Sequence, residues 1–332
     1  MITILGPTAS GKTKLAVAVA AAIDGEIISA DSRQVYRGMD IGTGKDLADY
    51  KLPSGDIVPC HLVDICDAGE KYNLFRYQQD FQAAYDDIVA RGKTPILCGG
   101  TGLYIEAVLK NYNLQHVPEN KALRNSLEGK SLEELTIILE DLKKRNGSNM
   151  HNRTDVDSCK RAIRAIEIEV AQTNTPPQPS PQGKGGLKIA ISNNNSTSKT
   201  NYKSPSPCGE GWGGGLYGVA IPRELRRQRI TKRLDERLKE GMIDEVQRIL
   251  DSGVSPDDLI YYGLEYKFVT QHLIGQLTYN EMRRQLEIAI HQFAKRQMTW
   301  FRGMEKRGLH IKWINFELPM EEKVQQIITS KQ

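Results

Sequence analysis

Gly6-Pro7-Thr8-Ala9-Ser10-Gly11-Lys12-Thr13 follows the spacing G-x-x-x-x-G-K-[ST] of a phosphate-binding loop. The apolar run Ile2-Thr3-Ile4-Leu5 leads into it, and Leu15, Val19 and Ile23 leave it at helical spacing. Strand, glycine loop and helix in that order are what the motif needs, because the helix N-terminus must face the anion. Gly6 and Gly11 admit backbone angles that aim successive N–H groups at phosphate oxygens. Lys12 offsets phosphate charge, and the Thr13 hydroxyl stands where Mg²⁺ is held. A bound polyphosphate follows from the motif; the reaction does not.

Two more stretches point to the same sheet edge. Glu26-Ile27-Ile28-Ser29-Ala30 reads as a second strand, followed by Asp31-Ser32-Arg33-Gln34-Val35-Tyr36. Pro95-Ile96-Leu97-Cys98 is a short buried-type strand, followed by Gly99-Gly100-Thr101-Gly102-Leu103-Tyr104. In open parallel sheets, ligands gather at the carboxyl ends of the strands. Asp31 and Thr101 therefore join the phosphate loop in one candidate site.

Five blocks, GPTASGKT, ADSRQVYRGMDIGT, HLVDI, RGKTPILCGGTGLY and the late AKRQMTWFR, occur in one order along the chain. Together they resemble the tRNA dimethylallyltransferase (tRNA isopentenyltransferase) family, in its bacterial form without a zinc finger. The resemblance spans most of the chain apart from residues 174–215. It implies a phosphate-loop α/β sheet flanked by helices, with a small all-helical insertion. The implied reaction moves a dimethylallyl group from its diphosphate to N6 of adenine 37 in the anticodon arm of tRNA and releases diphosphate, with Mg²⁺ as cofactor.

Composition fits that picture and removes others. The 332 residues can bury a large core, and the net charge of +4 is mild. Charge is concentrated instead. Arg223 to Glu240 holds eight Lys/Arg and four Asp/Glu, and Glu281 to Arg307 holds seven and three. Taken singly, each run reads as a solvated helix face; two beside a nucleotide-type fold suit an RNA backbone. The five cysteines are scattered without a C-x-x-C pair, so neither a disulfide framework nor a zinc site is expected. Without an apolar segment of membrane length or a leader pattern, the expectation is a cytoplasmic protein with no membrane partner; a monomer is expected as well.

Along the chain, residues 1–117 and 216–332 read as the catalytic core with C-terminal helices. Asn73 to Arg91 is expected to be helical, with Leu74, Tyr77, Phe81, Tyr85 and Ile88 on one stripe. Residues 118–173 carry apolar side chains at three- and four-residue spacing (Leu135, Ile138, Leu139, Leu142; Ala162, Ile163, Ile166, Val170), which predicts a helical insertion; that it binds tRNA is what the resemblance implies. Residues 174–215 are rich in Pro, Gly, Ser, Asn and Lys and repeat the fragment Pro-Ser-Pro-x-Gly-x-Gly. Such composition cannot offset its chain entropy by burial, so a mostly disordered loop without catalytic duty is expected, with a basic RNA arm as the alternative. Leu216 to Ile221 returns to a strand. Tyr279 to Arg302 is a long helix with Met282, Leu286, Ala289, Ile290 and Phe293 on its buried stripe, Trp313 to Asn315 is a last strand, and Met320 to Thr329 a closing helix.

The resemblance then distributes roles. The Asp31 carboxylate is the expected base that takes a proton from the adenine amine. Thr101 matches the family's threonine beside the diphosphate and the attacked amine. Arg223, within R-x-x-x-x-x-R-I, matches a basic position expected to reach the diphosphate; Arg226, Arg227 and Arg229 compete for that role. Ser32, Arg33 and Gln34 are expected to contact the flipped base or its neighbours. Arg124, Lys160, Arg161 and Arg164 fit RNA-backbone contacts on the insertion. Lys295, Arg296, Gln297, Trp300 and Arg302 combine cations and aromatics for phosphate contact and stacking. For Trp300 and Phe301 taken singly, a place in the core is the simpler explanation.

Two departures stand out. Gly42-Thr43-Gly44-Lys45-Asp46 replaces the family's GTAKP, and Tyr262-Gly263-Leu264-Glu265 stands where GYRE is usual, without its arginine. Three competing functions share the phosphate loop: prenyl transfer to free adenine nucleotides, a small-molecule ATP kinase, and an RNA-binding module with a vestigial nucleotide site. The first has no need of the helical insertion or KRQMTWFR, the second lacks the GGTGLY block, and the third leaves an intact loop and Asp31 without purpose.

Overall fold

The structure, a computed structural model, describes residues 1–112, 114, 117–147, 156–173 and 214–329. In chain order the elements are β1 (Ile2–Leu5), α1 (Lys12–Ala22), β2 (Gly25–Ser29), β3 (Cys60–His61), α2 (Leu74–Ala90), β4 (Thr94–Gly99), α3 (Gly102–Leu109), α4 (Lys121–Leu127), α5 (Leu132–Arg145), α6 (Cys159–Thr173), β5 (Leu216–Ala220), α7 (Arg223–Lys239), α8 (Met242–Asp251), α9 (Pro256–Tyr262), α10 (Leu264–Leu273), α11 (Tyr279–Lys306), β6 (Lys312–Asn315) and α12 (Met320–Thr329). They form two units, Met1–Asn113 with Tyr202–Gln332, and Leu114–Asn201. The low-complexity stretch falls largely at 174–213, outside the described residues.

In the first unit, six parallel strands form one sheet in the order β3-β2-β4-β1-β5-β6. β1 is central: Ile4 lies beside Cys98 of β4 on one side and Tyr217 of β5 on the other. Period-two alternation divides the strands between two apolar layers. Ile2, Ile4, Ile27 and Ile96 pack with α1 and α12 through Leu15, Val19, Val324 and Ile327. Leu5, Ile28 and Leu97 face the opposite layer with Tyr77, Phe81, Tyr104, Leu286 and Phe301. Because β4 lies between β1 and β2, the chain leaves β1 on one course and returns on another, and a crevice opens at the strands' carboxyl ends.

Local signals set the helix ends. The Asn73 side chain accepts the Arg76 amide at 3.0 Å and starts α2 one residue after the expected boundary. Thr278 and Glu281 form a reciprocal cap on α11. The buried stripe of α11 runs Met282, Leu286, Ile290, Ala294, Gln297, Phe301 and Met304. Phe293, expected on that stripe, is instead 39% exposed, because the helix turns this face away from the apolar layer.

The second unit packs α4, α5 and α6 around Leu127, Leu135, Leu139, Ala162 and Ile166. Its core also holds a charge. The buried Glu167 receives the Arg124 guanidinium at 2.7 and 2.8 Å, Arg164 at 3.0 Å and the Asn120 amide at 2.9 Å. Burial alone would raise that carboxyl; these donors outweigh it and hold the pKa at about 2. Among the described residues, no helix is long and apolar enough to cross a membrane.

Candidate active site

The phosphate loop joins β1 to α1. Ala9 and Gly11 both take left-handed angles, with φ of 61° and 81°. Lys12 and Thr13 then open α1, where amides lack intrahelical partners. The loop after β2 is pinned from beside it. The Ala30 amide donates to the Cys98 carbonyl at 2.7 Å, and the Thr101 amide donates to the Ala30 carbonyl at 3.1 Å. A Cβ at Gly99 would stand 2.2 Å from the Ala30 oxygen, so a side chain there would force the two loops apart. The Thr101 hydroxyl accepts the Ser32 amide at 3.1 Å, and Asp31 Oδ1 accepts the Arg33 amide at 3.1 Å. Asp31 and Thr101, distant in sequence, are thus fixed on one sheet edge.

A third element closes the arrangement. Gln297 of α11 accepts the Thr8 amide at 2.9 Å and donates to the Gly100 carbonyl at 2.9 Å. It was expected to touch RNA; in the structure its amide links the phosphate loop to the loop after β4. Nearby, a Cβ at Gly102 would lie 2.3 Å from the Trp300 ring, so α3 meets that indole at close range.

These elements enclose a cavity of about 520 Å³. Of the expected site residues, Thr8, Lys12, Asp31, Ser32, Arg33, Thr101, Arg296, Gln297 and Trp300 line it. Ala9, Ser10 and Gly11 face a neighbouring cavity of about 610 Å³. Gly6 and Pro7 are buried, and Thr13 is half-buried at the second position of α1. Gln34 turns inward: its amide donates to the Gly44 carbonyl at 3.0 Å, and Ser29 donates to its oxygen at 3.3 Å. Lys295 and Arg302 are exposed on α11, while Phe301 is fully buried. Arg223 is 76% exposed, has Glu224 at 3.9 Å, and lines neither cavity. In the second unit Lys160 is exposed and Arg161 pairs with Asp157 at 3.0 Å, whereas Arg124 and Arg164 are committed to Glu167.

The decisive likeness is to known sequences. The model of the IPP transferase family matches residues 34–304, and that of isopentenyl transferases matches residues 1–53. The chain belongs to the IPP transferase family. It is 56% identical to tRNA dimethylallyltransferase 1 of Parabacteroides distasonis, over 98% of this chain and 95% of that relative. It is 55% identical to tRNA dimethylallyltransferase 2 of Bacteroides fragilis over similar shares, 98% and 95%. Among solved structures, the full-length tRNA isopentenylpyrophosphate transferase of Bacillus halodurans superposes with a TM-score of 0.65 at 30% identity, covering 99% and 95% of the two chains. A eukaryotic dimethylallyltransferase acting on tRNA shares the fold, with a TM-score of 0.67 at 20% identity, covering 100% of this chain and 77% of that one.

Within this IPP transferase, several site residues had escaped the sequence. Glu245 of α8 accepts the amides of Asp40, Ile41 and Gly42 at 2.9, 2.8 and 3.0 Å and the Tyr266 hydroxyl at 2.7 Å. It holds the loop whose Gly42 and Thr43 line the cavity. Lys45 is buried against the Tyr36 carbonyl at 2.6 Å, Asp40 at 2.7 Å and Asp64. Arg233, Arg237 and Glu265 also line the cavity. Both departures from the family pattern converge here. Asp46 contacts Arg233 and lies 3.6 Å from Arg237, and Glu265 feels the charge of the same two arginines. Burial pushes the Glu265 carboxyl up against that attraction, and burial with Arg233 beside it pushes the Arg237 guanidinium down. A polar residue on an apolar stripe was the available signal: Glu245 between Met242 and Val246, and Gln297 between Ala294 and Phe301.

Proposed function

We propose that this chain transfers a dimethylallyl group from dimethylallyl diphosphate to N6 of adenine 37 in the anticodon arm of tRNA, releasing diphosphate. One observation carries the reading: Lys12 of the phosphate loop, Asp31 after β2 and Thr101 after β4 line a single cavity.

The amides opening α1 and the Lys12 ammonium receive the diphosphate and stabilise the charge that grows as the allylic C–O bond breaks. The exocyclic amine of adenine is a weak nucleophile, since its lone pair is shared with the ring. As the new C–N bond forms, Asp31 takes the amine's proton. Its Oδ1 already accepts the Arg33 amide, which fixes the direction the carboxylate faces. Thr101 stands between the two reacting groups, oriented by its hydrogen bond to Ser32. Among the described residues there is no cluster of three or more His, Cys, Asp or Glu side chains able to hold a metal. Mg²⁺ usually takes only one or two protein oxygens beside phosphate and water, and the Thr13 hydroxyl at the second position of α1 would hold it. When bound, the ion supplies further charge stabilisation for the leaving diphosphate.

The target adenine must leave the anticodon stack to enter the cavity. Ser32, Arg33, Arg296 and Trp300 meet it or its neighbours there, and Gln34 braces the loop behind them. Exposed Lys160 and Arg161 on the helical insertion, and Lys295 and Arg302 on α11, take the RNA backbone. The chain acts as a cytoplasmic monomer. The test is product analysis: tRNA incubated with donor and Mg²⁺, then digested to nucleosides, should yield N6-dimethylallyladenosine mapping to position 37. Modification at another adenine, or none, would overturn the assignment.

A further inference from the structure

Near the C-terminal end of α7, the Arg237 side chain is only 12% exposed, yet its buried Nη2 has no hydrogen-bond partner. The guanidinium is packed against bare backbone: a Cβ at Gly44, where φ is +70°, would fall 1.8 Å from Nη2. Four charged groups share this corner. Asp46 approaches Nη2 to 3.6 Å, beyond a good hydrogen bond, and is engaged by Arg233 instead. Arg233 also reaches the Gly44 carbonyl at 3.4 Å. Glu265, the fourth, lines the same cavity as Arg237.

Arg237 also borders the phosphate loop. It lines the main cavity with Thr8 and Lys12, and a hollow of about 20 Å³ with Thr8 and Ala9. A buried, charged N–H without an acceptor is unfavourable unless a ligand supplies one. A guanidinium fork matches phosphate oxygens in shape and charge. Arg223, which the family pattern offers for this task, is exposed outside the cavity.

We propose that Arg237 is a diphosphate-binding residue of this enzyme, its guanidinium offering charge and N–H donors from the wall of the cavity that Lys12 also lines, with Asp46 competing for it. This rests on the reading that the phosphate loop holds the prenyl diphosphate. Inorganic diphosphate in calorimetric titration of the full-length chain is the probe, compared across Lys12→Ala, Arg223→Ala, Arg237→Met and Arg237→Lys. Loss of one charge-assisted hydrogen-bonding group predicts affinity about 10- to 100-fold weaker in Arg237→Met. Arg223→Ala should stay within about threefold of native, and Arg237→Lys should lie between native and Arg237→Met because it keeps the charge and loses the fork. In turnover, the donor KM should rise while the tRNA KM holds. Unchanged affinity in Arg237→Met would overturn the inference and make Arg237 a structural residue. Should Arg237→Met fail to fold, native affinity in Arg237→Lys does the same. If Lys12→Ala also binds diphosphate normally, the phosphate-loop reading itself fails, which is a different result.

Discussion

Gln297 holds the amide of Thr8 at 2.9 Å, bridging 289 positions of sequence to tie the long C-terminal helix to the phosphate loop. The same side chain donates to the Gly100 carbonyl, so one amide sets the spacing between the phosphate loop and the loop after β4. Replacing it with leucine strands two backbone groups, at about 1–3 kcal/mol for each. Gln297→Leu should therefore raise the donor KM by about tenfold with little change in tRNA affinity. Weaker tRNA binding with a native donor KM would return Gln297 to the RNA contact expected from its KRQ setting.

Asp31→Ala should lower the transfer rate by about 10²–10⁴-fold, the usual contribution of a positioned general base. Filter binding should show tRNA affinity nearly unchanged. A rate within threefold of native would remove Asp31 from the chemistry.

The second unit separates two kinds of cation. Arg124 neutralises the buried Glu167, so Arg124→Ala should lower the unfolding midpoint. Lys160 is exposed, so Lys160→Ala should leave that midpoint alone, weaken tRNA binding, and reduce the salt slope of affinity by roughly one. An unchanged slope would exclude Lys160 from the RNA contact.

What the sequence made legible was local. The strand–loop–helix around Lys12 and the start of α2 depend on neighbours a few residues apart; β2, β4, β5 and α2 lie within a residue of their expected bounds, whereas α11 runs four residues past the expected Arg302. The two-residue strand Cys60–His61 is too short to carry a pattern and exists through its pairing with Ile27 and Ile28. Charge direction was equally hidden. Arg223 to Glu240 contains eight cations that look alike in sequence, and packing alone turns Arg233 and Arg237 inward while leaving Arg223 in solvent. Likewise, the three amides that Glu245 collects come from a loop more than 200 residues upstream.

Stability should depend on Glu26, away from the site. Arg91 hydrogen bonds, joined by His61 at 2.7 Å and resisted by burial, hold its carboxyl at about 2 against a reference of 4.5. With the folded pKa below the unfolded one, this contribution is complete above about pH 4.5 and disappears as pH falls toward 2. Glu26→Gln should unfold at a lower temperature than native at pH 7, and the gap should narrow across that acidic window. A gap independent of pH would show that the carboxylate's charge is not what stabilises.

The central claim is tested most directly by competition. Labelled dimethylallyl diphosphate, Mg²⁺ and the enzyme are mixed with unmodified tRNA, AMP and ATP together, and the label is followed. The account predicts label in tRNA, dependent on Asp31, with AMP and ATP left unlabelled. Label in AMP or ATP rather than tRNA, or phosphoryl transfer from ATP without prenyl transfer, would contradict it.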